Sequence, residues 1–314
     1  MTILYYDLLF REHFPGRHHP ERPERLARIE ERLQHNGWLN RCPRGQYQPA
    51  AAEALECIHD PALIRRVREI CEAGGGYLDP DTVVSRASYR VALAAASACA
   101  AAVRAVLTGL DKTALCLIRP PGHHATRHES MGFCLFNNVA FAAETARRQF
   151  GLERILIVDW DVHHGNGTQD IFYDDAGVFF FSIHRYPFYP GTGSAEETGT
   201  GRGLGYTLNI PVRFGTPRSE YRQLFLRGLE QAASVCRPQL VLISAGFDAH
   251  REDPIGSLGL ESEDFVQLTR WVQEIAETHA AGRIVSCLEG GYHLERLAEC
   301  VEVHLQQLSG VEGS

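Results

Sequence analysis

Residues 155–169 read ILIVDWDVHHGNGTQ, and the reading of this stretch decides the fold. Ile155, Leu156, Ile157 and Val158 form an unbroken apolar run rich in β-branched side chains, which predicts a strand buried on both faces. The polar half brings Asp159, Asp161, His163 and His164 in quick succession, with Gly165 and Gly167 behind them. Side chains alternate on extended backbone, so Asp159, Asp161 and His163 are predicted on one side and His164 on the other. The two glycines then permit a sharp turn. An apolar strand that ends in carboxylates and an imidazole predicts a site at the carboxyl edge of a parallel sheet.

Working outward, similar short apolar runs at 3–6, 114–118, 178–183, 240–244 and 284–288 read as further strands. Helical spacing is found at 24–34, from Asp60-Pro61 to the glycines at 74–76, at 89–107, up to Phe150, at 219–235, at 261–278 and up to Leu308. Residues 13–23, 77–85 and 185–205 read as loops, the last long, turn-rich and functional in character. Regular alternation of strands with helices predicts an α/β fold: a three-layer αβα sandwich with a mostly parallel central sheet, in one domain over 1–314. The polar residues follow the strands, at 119–124, 159–166, 184–193, 246–253 and 289–292, and in such a sheet these ends share one rim.

Composition excludes some classes. A formal net charge of -8 in 314 residues argues against a general nucleic-acid binder, which shows a basic patch. No apolar run approaches the roughly 18 residues of a membrane span, so no membrane partner is expected. Nine cysteines without a CxxC pair, and no signal-peptide pattern ahead of Tyr5, lead us to expect free thiols in a reducing cytoplasm.

Asp161, His163 and Asp248 are candidate ligands of one divalent cation. Two carboxylates and an imidazole suit zinc, and three protein ligands leave a position open for water or substrate. Ferrous iron tolerates the same set. An Asp at a strand end is otherwise an ordinary loop cap, so the DxH spacing alone is a weak signal. His123 and His124 follow Pro-Pro-Gly at another strand end, and imidazole is the usual proton carrier near neutral pH. Asp159 is placed to orient one of them, and Asn166 to hold the other through a neutral hydrogen bond. Tyr292, after Glu289-Gly290-Gly291, is a candidate donor to a developing oxyanion.

Taken together the chain resembles the histone deacetylase family, within the arginase–deacetylase fold group. The resemblance is carried by HPERPERL (19–26), RPPGHHA (119–125), GFCLFNNVA (132–140), DWDVHHGNGTQ (159–169), SIHRY (182–186), YPGTG (189–193), SAGFDAH (244–250) and LEGGY (288–292). These occur in the family's order over nearly the whole chain, and their wording is similar to the class II branch and its bacterial members. The resemblance implies zinc on Asp161, His163 and Asp248, with His124 as general base and then general acid. It implies His123 paired with Asp159 as an electrostatic aid, and Asn166 supporting His124 where class I members carry Asp. That exchange favours a lower imidazole pKa. Tyr292 would polarise the acetyl carbonyl, and a water on the metal would attack it.

Phe133 and Tyr189 would wall a tunnel for an alkyl chain, Tyr189 standing where many members have Phe. Gly132 would accept the substrate amide N–H, and Asp81 matches a rim position that grips the substrate backbone. A structural potassium ion is implied at Asp159 and Ser182, with backbone oxygens of Asp161, His163 and Ile183. Arg25 matches a buried arginine below the metal. The implied substrate is an acetylated lysine peptide or a similar acylated amine. Members selective for acetylpolyamines carry an acidic residue at the pocket mouth, where this chain has Ile255, although Asp79 or Asp81 is able to supply a negative rim. A binuclear manganese hydrolase of arginase type would need further Asp ligands and leaves Tyr292 unexplained. A catalytically silent binding module would lack a ligand or Tyr292, and neither is missing. Oligomeric state is not legible.

Overall fold

A computed structural model describes residues 1–310; the last four residues of the expected domain, 311–314, lie outside them. In chain order the elements are β1 (Thr2–Tyr5), α1 (Glu24–His35), α2 (Trp38–Arg41), α3 (Pro61–Glu72), β2 (Gly75–Asp79), β3 (Thr82–Ser85), α4 (Ser88–Leu107), β4 (Thr113–Cys116) and α5 (Asn138–Phe150). There follow β5 (Ile155–Asp159), α6 (Asn166–Phe172), β6 (Val178–Arg185), β7 (Thr207–Val212), α7 (Arg218–Cys236), β8 (Leu240–Ala245), α8 (Ser262–His279), β9 (Ile284–Leu288) and α9 (Leu294–Ser309).

Seven strands form one sheet in the order β1-β4-β9-β8-β5-β6-β7. Every pairing in it is parallel. All five residues of β5 are buried, as an apolar run with helices on both faces requires. On one side α4 packs against α5; on the other α9 packs against α1 and α8, and α8 against α7. The expected three-layer αβα architecture with a mostly parallel sheet is therefore the observed one.

The register aligns one row across the whole sheet. Tyr5 lies opposite Cys116, Cys116 opposite Cys287, Cys287 opposite Ser244, Ser244 opposite Asp159, Asp159 opposite Ser182, and Ser182 opposite Asn209. Partners in register on parallel strands face the same side. Asp159 thus sits in the middle of a polar row at the carboxyl edge, where the strand-end loops converge.

Three readings are corrected. Residues 77–85 are mostly not loop: β2 and β3 pair antiparallel, with an irregularity between Tyr77 and Asp79. The β-branched Thr82, Val83 and Val84 favour this extended form. Beyond the 185–205 loop an unanticipated strand, β7, completes the sheet edge beside β6. It contains Pro211, which an edge strand tolerates because one side of its ladder is free. Finally, an apolar run does reach membrane-span length. Helix α4 has 20 residues, and its most apolar 18-residue window has a mean hydropathy of 1.6 and is 78% buried inside the protein. Its small residues let it pack closely against β4, β9 and β1.

Candidate active site

Strand β5 stops at Asp159, so the Asp-x-Asp-x-His segment is not a continued strand. Each carboxylate instead captures the backbone two residues on. Asp159 Oδ1 accepts from Asp161 N at 3.1 Å, and Asp161 Oδ1 accepts from His163 N at 2.9 Å. Such Asx-type turns hold the chain in successive short bends. The predicted grouping survives by this route rather than by strand alternation.

Asp161, His163 and Asp248 offer donor atoms that all lie within 4.8 Å of one another, and all three side chains are buried. His163 Nδ1 lies 3.0 Å from Asp161 Oδ1 and 3.3 Å from Asp248 Oδ2. Asp248 Oδ2 is buried with no hydrogen-bond partner, an orphan acceptor that a cation would satisfy. Burial and the neighbouring Asp161 charge push the Asp248 carboxyl up to about 7. Two buried carboxylates this close repel each other, which favours either a proton on one of them or a positive charge between them. The donor set therefore fits a divalent metal.

Glycine makes the approach possible. A Cβ on Gly290 would stand 2.1 Å from Asp248 Oδ2, and one on Gly246 2.1 Å from Asp161 Oδ2. Without side chains these two backbones come close enough to enclose the carboxylates, and Gly290 N donates to Asp161 Oδ2 at 2.9 Å.

The paired histidines arrive from the loop after β4. Their rings are 4.0 Å apart, and His124 meets the His163 ring edge-on at 5.7 Å. His123 Nδ1 is 3.0 Å from Asp159 Oδ2. Burial alone would lower the His123 pKa, but Asp161 and Asp159 raise it to about 10. His124 is driven the other way: burial, then the charges of His123 and His163, hold it well below the ordinary range. Its Nδ1 lies 2.7 Å from Asn166 Oδ1. The amide oxygen only accepts, so Nδ1 carries the proton and Nε2 is left as the free acceptor.

Tyr292 is 8% exposed, and its ring lies over the Arg25 guanidinium at 5.1 Å. Burial and the Asp248 charge raise its pKa well above the ordinary phenol value, so it remains a proton donor. Arg25 reaches from α1 to donate to the carbonyls of Gly291 at 2.6 Å and Glu289 at 2.5 Å, fixing the turn that presents Tyr292. Phe133 meets Tyr292 edge-on at 5.9 Å, and Tyr189 meets His124 edge-on at 5.2 Å. Gly132 N donates to Asp81 Oδ1 at 3.1 Å. Ile255 is held at the same centre through Asp253, whose carboxylate accepts from Ile255 N at 2.9 Å and Tyr292 N at 2.6 Å. Asp159 and Ser182 stand opposite each other in register with Ile183 next in β6. Asp161, His163, Asp248, His123, His124, Asp159, Asn166, Tyr292 and Tyr189 are thus brought together in one buried cluster after the strand ends.

Three neighbours escaped the sequence reading. Glu289, fully buried, accepts from Gly122 N at 2.7 Å, His123 N at 3.3 Å and Ser244 Oγ at 3.2 Å, and so anchors the histidine turn. Phe188 stacks on His163 with centroids 5.1 Å apart and ring planes 14° apart. Asp253 collects the backbone of the Tyr292 loop. A carboxylate beside Gly-Gly or before Pro was the available signal, but nothing local distinguishes it from a surface acid.

A centre of two carboxylates and three imidazoles, with one histidine neutral, one charged and a buried phenol, is equipped for metal-assisted hydrolysis. The comparisons agree. The histone deacetylase domain model matches residues 19–308. A histone deacetylase-like amidohydrolase of Pseudomonas aeruginosa is 39% identical over 94% of this chain and 78% of its own length. A probable deacetylase of Archaeoglobus fulgidus is 42% identical over 88% of this chain and 77% of its own. The human polyamine deacetylase HDAC10 is 43% identical over 92% of this chain, which spans only 44% of that protein. The solved HDA15 HD domain superposes with a TM-score of 0.94 at 35% identity, covering 100% of this chain and 89% of that one. Fold, site and sequence relationships converge on a hydrolytic deacetylase: the chain belongs to the histone deacetylase family.

Proposed function

We propose that this protein is a zinc-dependent amidohydrolase that removes acetyl groups from lysine side chains or related acylated amines. The observation that carries the reading is the buried Asp161–His163–Asp248 cradle with an orphan carboxylate oxygen, beside the neutral His124 and the protonated Tyr292. Zinc held by those three residues supplies Lewis-acid polarisation of the acetyl carbonyl and acidification of water, and ferrous iron is the alternative ion.

His124 Nε2 takes a proton from the attacking water and returns it to the departing amine, so that acetate and a free amine result. Asn166 keeps the proton on Nδ1 throughout. Tyr292 donates to the carbonyl oxygen as negative charge develops there. His123, charged and paired with Asp159, stabilises the same charge and discourages protonation of His124 in the resting state. Gly132, Phe133, Tyr189, Ile255 and Asp81 form the substrate side. Asp159 and Ser182, with backbone oxygens of Asp161, His163 and Ile183, would hold a structural potassium ion. The cysteines are free thiols, which supports a cytoplasmic setting for a single catalytic domain.

An acetylpolyamine substrate is the second reading. It is supported by the acidic pair Asp79 and Asp81 near the tunnel and by the 43% identity to a polyamine deacetylase. The test is kcat/KM of the zinc-loaded protein on an acetyl-lysine peptide, N-acetylputrescine and N-acetylspermidine. Preference for the peptide supports the first reading and preference for the polyamines the second. Silence on all three by metallated protein overturns the substrate class.

A further inference from the structure

Arg185, the last residue of β6, takes no part in the acid–base chemistry of the centre, yet it is built into the wall around it. Its backbone N–H donates at 2.8 Å to the carbonyl of Val162, which stands between Asp161 and His163. Its guanidinium lies 4.1 Å from the ring centre of Phe188, the same ring that stacks on His163. One aromatic side chain therefore links this cation to a candidate metal ligand. Phe214, after β7, meets the guanidinium at 4.6 Å, although the residue is 66% exposed and adds little to the core. Nη1 donates to the Gly256 carbonyl at 2.9 Å.

Two rings and one carbonyl hold the planar group, but its charge is not compensated. In a chain with 39 acidic and 31 basic residues, partners for an arginine are abundant. Arg147 and Arg218, both partly buried, meet Asp175 and Asp264. Among the described residues no carboxylate pairs with Arg185, and no acceptor beyond Gly256 meets its side-chain N–H groups. Asp253, in the same loop as Gly256, is occupied by the backbone N–H groups of Ile255, Gly256, Tyr292 and His293. The rim acid Asp81 is bound elsewhere, to Thr82 Oγ1 at 2.9 Å and Gly132 N at 3.1 Å. A clamp between loops would use the stacking and the Gly256 bond; the remaining donors are surplus to it.

We infer that Arg185 is a specificity-determining residue that binds a carboxylate of the substrate: the favoured substrates are acylated amines whose short alkyl chain ends in a carboxylate, as in an acetylated lysine with a free α-carboxylate. A guanidinium stacked on aromatic rings keeps its donor edge for the two oxygens of one carboxylate. Because it is held in advance, it loses little rotamer freedom on binding. An acetylated diamine would instead bring a second cation beside it. This inference rests on the deacetylase reading and narrows its substrate class.

The experiment uses the zinc-loaded protein and three acetamides with tails of similar length: 6-acetamidohexanoate, N-hexylacetamide and N-acetyl-1,6-diaminohexane, which end in carboxylate, methyl and ammonium. The wild-type kcat/KM should fall in that order, with roughly tenfold or more between the first two, chiefly in KM. Added salt should narrow the gap. Arg185→Gln should abolish it, and Arg185→Lys, which keeps the charge but not the planar fork, should retain part of it. Phe214→Ala loosens the stack from the solvent side and should narrow the gap with folding intact, so it decides the matter if Arg185→Gln fails to fold. Equal kcat/KM for the carboxylate and methyl compounds in the wild type, or a gap unchanged in these variants, overturns the inference and leaves the deacetylase reading intact. Failure of the wild type to hydrolyse any of the three or an acetyl-lysine peptide overturns the reading beneath it.

Discussion

Asn166 shows how one neutral atom sets the acid–base behaviour of the centre. It accepts from His124 Nδ1 without contributing charge, and His124 is held below the ordinary imidazole range by burial and by His123 and His163. Since the base must be unprotonated, the acid limb of kcat/KM is expected below pH 6.5. Asn166→Asp adds a carboxylate that favours the imidazolium, raises the His124 pKa and moves that limb to higher pH. A pH–rate profile of both proteins checks this, and a limb that moves down or stays put would remove Asn166 from the account. Tyr292→Phe deletes one hydroxyl from a side chain that otherwise packs on Arg25 and Phe133. We expect kcat to fall by about 100- to 1,000-fold, with circular dichroism and metal content unchanged. Near-normal turnover by the metallated variant would sink the assigned role.

Between elements, buried histidines act as clasps that must stay neutral. His304 of α9 bonds Thr269 of α8 at 2.6 Å through Nδ1 and Ser286 of β9 at 2.9 Å through Nε2. Burial lowers its pKa to about 3, against an ordinary value near 6.5. Below pH 6.5 the unfolded chain takes up a proton that the folded one refuses, so stability is full above 6.5 and falls as pH drops toward 3. The slope from one such group reaches about 1.4 kcal/mol per pH unit. His164 of the site loop and His184 of β6, lowered chiefly by burial to about 4 and about 3, add to it. Urea midpoints at pH 7, 6 and 5 should fall in that order. His304→Gln should be less stable at pH 7 yet have a shallower dependence, and an unchanged slope would exclude His304 as a contributor.

Across the whole molecule, the carboxylate cradle couples folding to metal. Asp161 on the β5 loop and Asp248 on the β8 loop are held together by the sheet, and a cation that binds only this arrangement stabilises it by mass action. At a free concentration of 100 times its Kd the gain is about 2.7 kcal/mol. Chelation should therefore lower Tm by several degrees, and added zinc should restore it. Asp248→Asn should show no metal-dependent shift; one equal to the wild type's would place the ion elsewhere.

Much of this was legible locally. The continuous apolar run 155–158 could only be a doubly covered strand, and the recurrence of polar groups after strands implied a shared rim because parallel strands end on the same side. The Asp161, His163 and Asp248 set, the histidine pair and Tyr292 were readable from residue type and motif. Other features depended on which distant atoms meet. Strand order and the row from Tyr5 to Asn209 are set by register, which no single segment contains. Glu289 looked like any acid until Gly122, His123 and Ser244 were found around it, and α4 looked long and apolar enough for a membrane until its partners covered it. Asp253 is the sharpest case: the sequence by itself determined that an acid stands before Pro254, but only the tertiary structure decided that its carboxylate gathers the backbone N–H groups of Ile255 and Tyr292, because hydrogen bonding is a property of positions in space and not of neighbours along the chain.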